Sequence, residues 1–369
     1  MQLVAYGAQD IYLTGNPQIT FFKVVYRRHT NFAVESIEQT INGSVGDGSK
    51  VSVTVARNGD LLHRVYVQLK GTLAGMVHGT DNTACGFDAI NYVEVEVGGQ
   101  VIDKHYGQWM KVWCDLTHCN DKKSMLNKML LLDDCDCGGG AGKLSVIPLQ
   151  FWFCRNPGLA LPLIALQYHE VKLNIKFCDI ASTTSAEVWC DYIFLDTDER
   201  RRFAQVSHEY LIEQVQYNNG VGFTGDIQTE LRFNHPVKEL IWQSRAAGSS
   251  CCNAADGAGD VCTALLKLNG HDRFRKRTGE YFRTVQRYEH HTGAQGTADN
   301  HVNAGHTYMY SFALKPEEHQ PSGTCNFSRI DNAVLHLTGG ASGKVLDVYA
   351  VNYNVLRIMS GMGGLAYSN

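Results

Sequence analysis

The sequence predicts an all-β protein made of two tandem antiparallel sandwiches of about eight strands each, and three observations predict it. Hydrophobic residues recur at period 2, glycine far outnumbers proline (36 against 7), and the second half of the 369 residues repeats the first. Alternation at period 2 sends successive side chains to opposite faces of a strand, so one face can be buried while the other stays wet. Glycines suit the tight turns between many short strands.

Taken in chain order, "KVSVTVARNGDLLHRVYVQLKG" reads as two strands around the turn Asn58-Gly59-Asp60, because Asn-Gly readily supplies the positive φ of a tight hairpin. "VEVEVGGQVIDKHY" places Val93, Val95 and Val97 on one face and turns at Gly98-Gly99. In "DLTHCNDKKSMLNKMLLLDD", Met125, Met129 and Leu132 fall at helical spacing before a glycine-rich stop, which predicts one short helical insertion. "EVKLNIKF" alternates Val171, Leu173, Ile175 and Phe177 with polar partners.

The repeat carries the domain organisation. "VEVEVGGQVIDKHYGQW" matches "ALLKLNGHDRFRKRTGEYF", with Gly99 against Gly270 and Trp109 against Tyr281. "HEVKLNIKF" matches "DNAVLHLTG", and "VWCDYIFLDTDER" matches "VLDVYAVNYNVLR", pairing Tyr192 with Tyr349. The three matches keep their order at a spacing of roughly 160 residues, too long for a solenoid and right for a duplicated domain. The boundary falls after "DERRRFAQVSHEY", near Ser207–Gln214, so that residues 1–20 precede a first unit at 21–207 and a second unit at 208–369.

Composition excludes several functions. Hydrophobic residues make up 44% and the net charge is −4, with basic residues scattered, so the electrostatic footprint of a nucleic-acid binder is missing. Met1–Asp10 lacks the pattern of a signal peptide, and no run of about 18 apolar residues could span a bilayer. Synthesis in the cytosol is the expectation. The Gly-Lys clusters at Gly138–Ser145 and Gly339–Leu346 lack the first Gly and the Ser or Thr of a phosphate loop. No His stands two residues before a carboxylate, neither His-Glu pair extends to a zinc-protease motif, and His290-His291 reads as a solvated loop pair. No nucleophile elbow occurs. No catalytic residue and no cofactor is expected, although a carbohydrate-binding sandwich and a cupin-like enzyme are alternative uses of such a fold.

The 12 cysteines are irregularly spaced in a chain large enough to do without staples, so mainly free thiols are expected. Cys114, His118, Cys119, Cys135 and Cys137 bring four thiols and an imidazole into one insertion, a candidate for structural zinc whose spacing matches no standard finger. Unpaired thiols or a disulfide are the alternatives.

Five blocks carry a resemblance: "LVAYGAQDIYLTGNPQITFFKVVYRRHTNFAVESIEQTINGSV", "NPGLALPLIALQYHEVKL", "DYIFLDTDERRRFAQVSHEYLIEQ", "YSFALKPEEHQPSGTCNFSRIDNAVLHLT" and "NYNVLRIMSGMGGLAY". Together they resemble the major capsid proteins of nucleocytoplasmic large DNA viruses, in particular the chlorella-virus (phycodnavirus) branch. The resemblance implies a double jelly roll, two eight-stranded sandwiches with short helical insertions, that forms homotrimeric pseudo-hexagonal capsomers. These would tile the outer icosahedral shell of a virion over an internal membrane without inserting into it. The implied partners are neighbouring capsomers and minor capsid proteins on the inner face, with no direct nucleic acid and with assembly in the host cytoplasm. Met1–Gln18 resembles the family's inner-face arm, "ITFFKVVYRRHTNFA" its first strand. Tyr26, Arg27 and Arg28, with Gly363 and Gly364 of the C-terminal "SGMGGLAY" turn, then become assembly residues, the arginines pairing with carboxylates. Phe22, Trp109, Trp152 and Phe223 are candidates for the interface or for the core. Two stretches depart from the family pattern, Cys114–Cys137 and the short segment "QSRAAGSSCCNAADGAGDVCTA". Asn253 and Asn303 are candidates for glycan attachment.

Overall fold

The computed structural model describes residues 7–72, 86–130, 132–133, 142–178, 180, 184–246, 261–293, 307–339 and 344–367. Four antiparallel sheets form two sandwiches. In the first, strands Phe32–Gln39, Ser185–Leu195, Leu61–Thr72 and Gly142–Pro148 are neighbours in that order in one sheet. Lys50–Thr54, Val171–Phe177, Ile90–Val97 and Gln100–Tyr106 form the other. The second sandwich repeats the plan. His208–Phe223, Lys344–Met359, Pro236–Ala246 and Thr307–Ser311 make one sheet; Ile227–Glu230, Ala333–Thr338, Thr263–Leu268 and His271–Asp272 make the other. Each sandwich therefore has eight corresponding strands in the same order, with short extra strands at the margins, and the fold is a double jelly roll.

The internal repeat holds to the residue. Leu173 pairs with Val95 and Ile175 with Val93 in the first roll; Leu335 pairs with Leu266 and Leu337 with Ala264 at the matching places in the second. Gly98-Gly99 (φ 59° and 89°) and Asn269-Gly270 (φ 51° and 79°) are the same two-residue turn, whose left-handed backbone selects Gly and Asn. Gly107 and Gly279 correspond too. A Cβ on Gly107 would lie 2.1 Å from the Ile90 carbonyl oxygen, and one on Gly279 would lie 1.9 Å from that of Val261.

Local pattern misleads in three places. Lys50–Thr54 and Leu61–Thr72 belong to different sheets, so Asn58-Gly59-Asp60 crosses the sandwich and is not a hairpin turn. Gly59 has no positive φ; it is needed because a Cβ there would meet Tyr192 Cβ at 2.6 Å. The first strand begins at Phe32, so "ITFFKVVYRRHTN" is not strand. Its apolar residues have no neighbouring strand to pair with, and Phe22 is 98% exposed. Two helices, Gly107–Thr117 and Asn120–Leu130, replace the one expected. The second buries Lys123, Leu126 and Leu130 and leaves Met125 63% exposed, because its inner face is set by an ion pair as well as by apolar residues.

Each sandwich buries its own apolar core, and the first core continues into Ile212, Tyr349, Val351, Leu356 and Ile358 of the second roll. Trp109 and Trp152 belong to this core and not to an exposed interface. No described helix is long and apolar enough to cross a membrane.

Candidate functional site: the inter-roll seam and the exposed arm

The seam is built where strand Gln100–Tyr106 of the first roll meets strand His208–Phe223 of the second, with helix Gly107–Thr117 packing beside it on Lys344–Met359 and Pro236–Ala246. Two successive edges of the duplicated plan are thereby closed against each other. Backbone groups freed at these edges find side-chain partners. Asp103 Oδ1 accepts from the Val215 amide at 3.1 Å, and the Ile102 carbonyl oxygen accepts from Gln214 Nε2; between side chains, Gln108 Nε2 donates to Gln243 Oε1 at 2.7 Å. Rings fill the gap, with Tyr106 4.7 Å from Tyr217 and Trp109 5.2 Å from Tyr349, centroid to centroid.

Charged groups sealed in the same region define its electrostatics. Asp115 accepts from Lys123 Nζ (2.9 Å) on one oxygen and from Arg287 Nη1 (3.1 Å) on the other, with all three side chains at most 6% exposed. Arg287 also donates to the Asp115 and Gly293 carbonyl oxygens, so one second-roll cation fastens the end of a first-roll helix. Nearby, Glu213 meets Lys238 at 2.8 Å and Arg155 at 3.0 Å. Burial by itself would raise the Glu213 pKa, but the two cations outweigh it and hold the carboxyl at about 2. For Lys123, burial dominates over the Asp115 charge and lowers the pKa.

His291, read from sequence as a solvated loop residue, is fully enclosed between Glu239 (2.9 Å to Nε2) and Glu317 (2.9 Å to Nδ1). Burial opposes its charged form, yet the two carboxylates prevail and raise its pKa to about 9. Thr292 ties the same loop to the first roll by donating to the Thr117 carbonyl oxygen. No sequence motif marks Asp115, Glu213, Lys238, Arg287 or His291. They come from distant parts of the chain and only the packed rolls bring them together.

The sequence-predicted residues are placed as follows. Tyr26, Arg27 and Arg28 are exposed on the arm, and among the described residues neither arginine meets a carboxylate of its own protomer. Cys114 is fully buried and Cys119 exposed, while Cys135 and Cys137 lie outside the described residues. Burial, reinforced by Lys122 and Lys123, lowers the His118 pKa to about 4. Cys114, Cys119, Cys154, Cys190, Cys262 and Cys325 are free thiols, whereas Cys178 is disulfide-bonded. Asn253, Asn303 and most of the shortened segment after Gln243 lie outside the described residues, as does the side chain of Phe223.

Gly363 and Gly364 sit on strand Met362–Leu365, and neither has a positive φ. The left-handed turn is at Ser360-Gly361 (φ 52° and 82°). Gly363 is required by close packing instead. A Cβ there would lie 2.7 Å from Leu166 Cδ2 and 3.2 Å from Val97 Cγ1 of the first roll, whereas Gly364 has only Gln100 Oε1 at 3.4 Å. Gly363→Val is therefore expected to cost about 1–3 kcal/mol by overpacking and Gly364→Ala much less. Urea unfolding of the two variants checks the split, and equal losses would contradict it.

With this geometry in place, the chain was compared with known proteins. Residues 20–196 match the family described as major capsid protein N-terminus, and residues 199–364 match the large eukaryotic DNA virus major capsid protein family. The chain belongs to the large eukaryotic DNA virus major capsid protein family. Against the major capsid protein of Pyramimonas orientalis virus it is 55% identical, covering 100% of this chain and 99% of the relative. Against that of Paramecium bursaria Chlorella virus 1 it is 44% identical, with the same coverage. The solved quasi-atomic model of the PBCV-1 virus capsid aligns with a TM-score of 0.79 at 41% identity, over 95% of this chain and 100% of that one. The Faustovirus major capsid protein, at 14% identity and a TM-score of 0.68, shares the fold. This capsid-family chain is thus a structural protein of the virion capsid and not an enzyme.

Proposed function

We propose that the chain forms a homotrimer whose six jelly rolls make a pseudo-hexagonal capsomer, and that these capsomers tile an icosahedral shell around an internal membrane. Neighbouring capsomers and minor capsid proteins on the inner face are its partners, with assembly in the host cytoplasm. One observation carries this reading: two rolls of the same strand plan are locked together by a buried, charged and aromatic seam. Each chain is then a rigid pair of like lobes, and three pairs make a six-lobed ring when one heterologous surface is used three times.

The arm supports the same reading. Ile11, Tyr12, Leu13, Ile19, Phe22 and Tyr26 are all more than two-thirds exposed, a contiguous apolar display that in a soluble protomer marks an interaction surface. Arg27 and Arg28 at its root are available to carboxylates of a neighbour.

Native mass by size-exclusion chromatography with light scattering tests the trimer. A species near three times 41.0 kDa is expected, and a clean monomer in moderate salt would overturn the reading. Deleting residues 1–18 should leave the trimer folded while weakening its packing into shells. Normal shells from the truncated chain would remove the arm from assembly.

A further inference from the structure

We infer that, in the six-lobed ring proposed above, strand Phe32–Gln39 of one copy docks on the basic segment Arg273–Arg283 of a second copy. This rests on the trimer reading above and names the surfaces that would make it.

The seam is asymmetric. One edge of the first roll, Gln100–Tyr106, packs on a different edge of the second roll, His208–Phe223. Because the rolls share one strand plan, each possesses both edges. A head-to-tail contact used once inside the chain leaves one head and one tail unused. The unused tail is Phe32–Gln39, which holds the place beside Ser185–Leu195 that His208–Phe223 holds beside Lys344–Met359. The unused head is His271–Asp272 and the turns that follow, through Tyr281–Val285, whereas Arg287 just beyond already serves the internal seam.

Register makes the correspondence specific. With Tyr192 equivalent to Tyr349, the seam residues Gln214, Val215 and Tyr217 correspond to Phe32, Ala33 and Glu35. With Gly107 equivalent to Gly279, Tyr106 corresponds to Thr278 and His105 to Arg277. The strand pairings agree, since Val93 faces His105 as Ala264 faces Arg277. The ring pair Tyr106–Tyr217 of the seam is therefore replaced, between copies, by Glu35 against Thr278 with Arg277 beside it.

Burial shows which halves are in use. Gln214 is 5% exposed, whereas its counterpart Phe32 is 57% exposed and Val34, two residues on, 55%. Strand Gln100–Tyr106 buries Asp103 and His105, whereas Arg275, Lys276, Arg277 and Thr278 in the corresponding stretch are exposed. Charge shows that the bare halves match each other. Strand Phe32–Gln39 carries Glu35 and Glu38 and no base, while the segment from Arg273 to Arg283 holds Arg275, Lys276 and Arg277 besides its ends, with Glu280 the lone acid. Among the described residues neither Glu35 nor Glu38, nor Arg275, Lys276 or Arg277, forms an ion pair within the protomer. Complementary charge at a surface assembled after folding steers partners and fixes their register, whereas the internal seam, formed as the chain folds, relies on rings and sealed ions.

Light scattering across a dilution series tests this with the full chain and three variants: Glu35→Lys with Glu38→Lys, Arg275→Glu with Arg277→Glu, and all four changes together. Each reversal alone should raise the concentration for half-association about tenfold or more, and the combined variant should recover it. A monomeric parent chain would overturn the trimer reading. A trimeric parent untouched by both reversals, or no recovery in the combined variant, would overturn this inference and leave the trimer standing. Zero-length carbodiimide coupling of mixed isotope-labelled parent copies adds a readout independent of variant folding. Glu35 or Glu38 joined to Lys276 across copies is expected, and a trimer without that product would refute the docking.

Discussion

Replacing Asp115 by Ala is expected to destabilise the chain by about 3–5 kcal/mol, the cost of leaving buried cations without their counter-charge. Lys123 Nζ and Arg287 Nη1 both rest on this carboxylate, and neither has room to reach water, since their side chains are 0% and 6% exposed. Arg287 is also the link that spans the rolls, so the loss should fall on their union. Urea unfolding followed separately by fluorescence and far-UV dichroism should show two transitions where the parent chain shows one. A control separates lost charge balance from lost packing. Asp115→Leu with Lys123→Met and Arg287→Met removes the whole buried group, and apolar replacement of a complete ionic cluster is often neutral or better. If Asp115→Ala unfolds at the same urea concentration as the parent, the triad does not hold the rolls together.

Alkaline pH should loosen the same seam through His291. Its folded-state pKa is about 9, above its ordinary value of 6.5, because Glu239 and Glu317 overcome the effect of burial. A group whose pKa is raised on folding contributes stability that is complete below its unfolded pKa and is lost as pH climbs through the folded one. The loss therefore runs from about pH 6.5 to about pH 9 and amounts to about 3 kcal/mol. Glu213 acts at the other end. Its carboxyl is held at about 2 against an ordinary 4.5, so its contribution is present above pH 4.5 and disappears as pH falls through about 2. His118 adds to the acid side, because burial holds it at about 4 and the unfolded chain takes up its proton first as pH falls below 6.5. Melting temperature against pH for the parent and His291→Gln tests the alkaline limb. The variant should be weaker at neutral pH, because Glu239 loses its cation, and flatter between pH 6.5 and 9. A variant that retains the full alkaline slope would assign that slope to other groups.

Much of the framework was legible because it depends on periodicity and on turns. The alternation in Val171–Phe177 and Ile90–Val97 and the Gly98-Gly99 turn reappear, and the repeat holds in register along the strands, although Arg200, matched in sequence to Arg357, lies on helix Thr197–Gln205 while Arg357 lies on a strand. Where the reading went astray, a local signal had been asked to decide a non-local matter. Asn58-Gly59 resembles a hairpin turn, but strand partners are chosen across the sandwich, and the glycine answers to Tyr192. "ITFFKVVYRRHTN" has the composition of a strand without a partner to make it one. Gly363, expected in a turn, lies on strand Met362–Leu365 and is needed for the strand's close approach to Leu166.

The sequence by itself determined the alternating strands and their duplication, since side-chain period and turn stereochemistry act over a few residues at a time. Tertiary structure alone decided which edge of one roll meets which edge of the other, and so which ions are sealed in and which faces stay bare. Asp115 and Arg287, or His291 and Glu239, are ordinary surface residues in sequence. They become a buried network only after two finished sheets exclude the water between them, because the strength and the cost of a charge depend on surroundings that no local stretch of chain specifies.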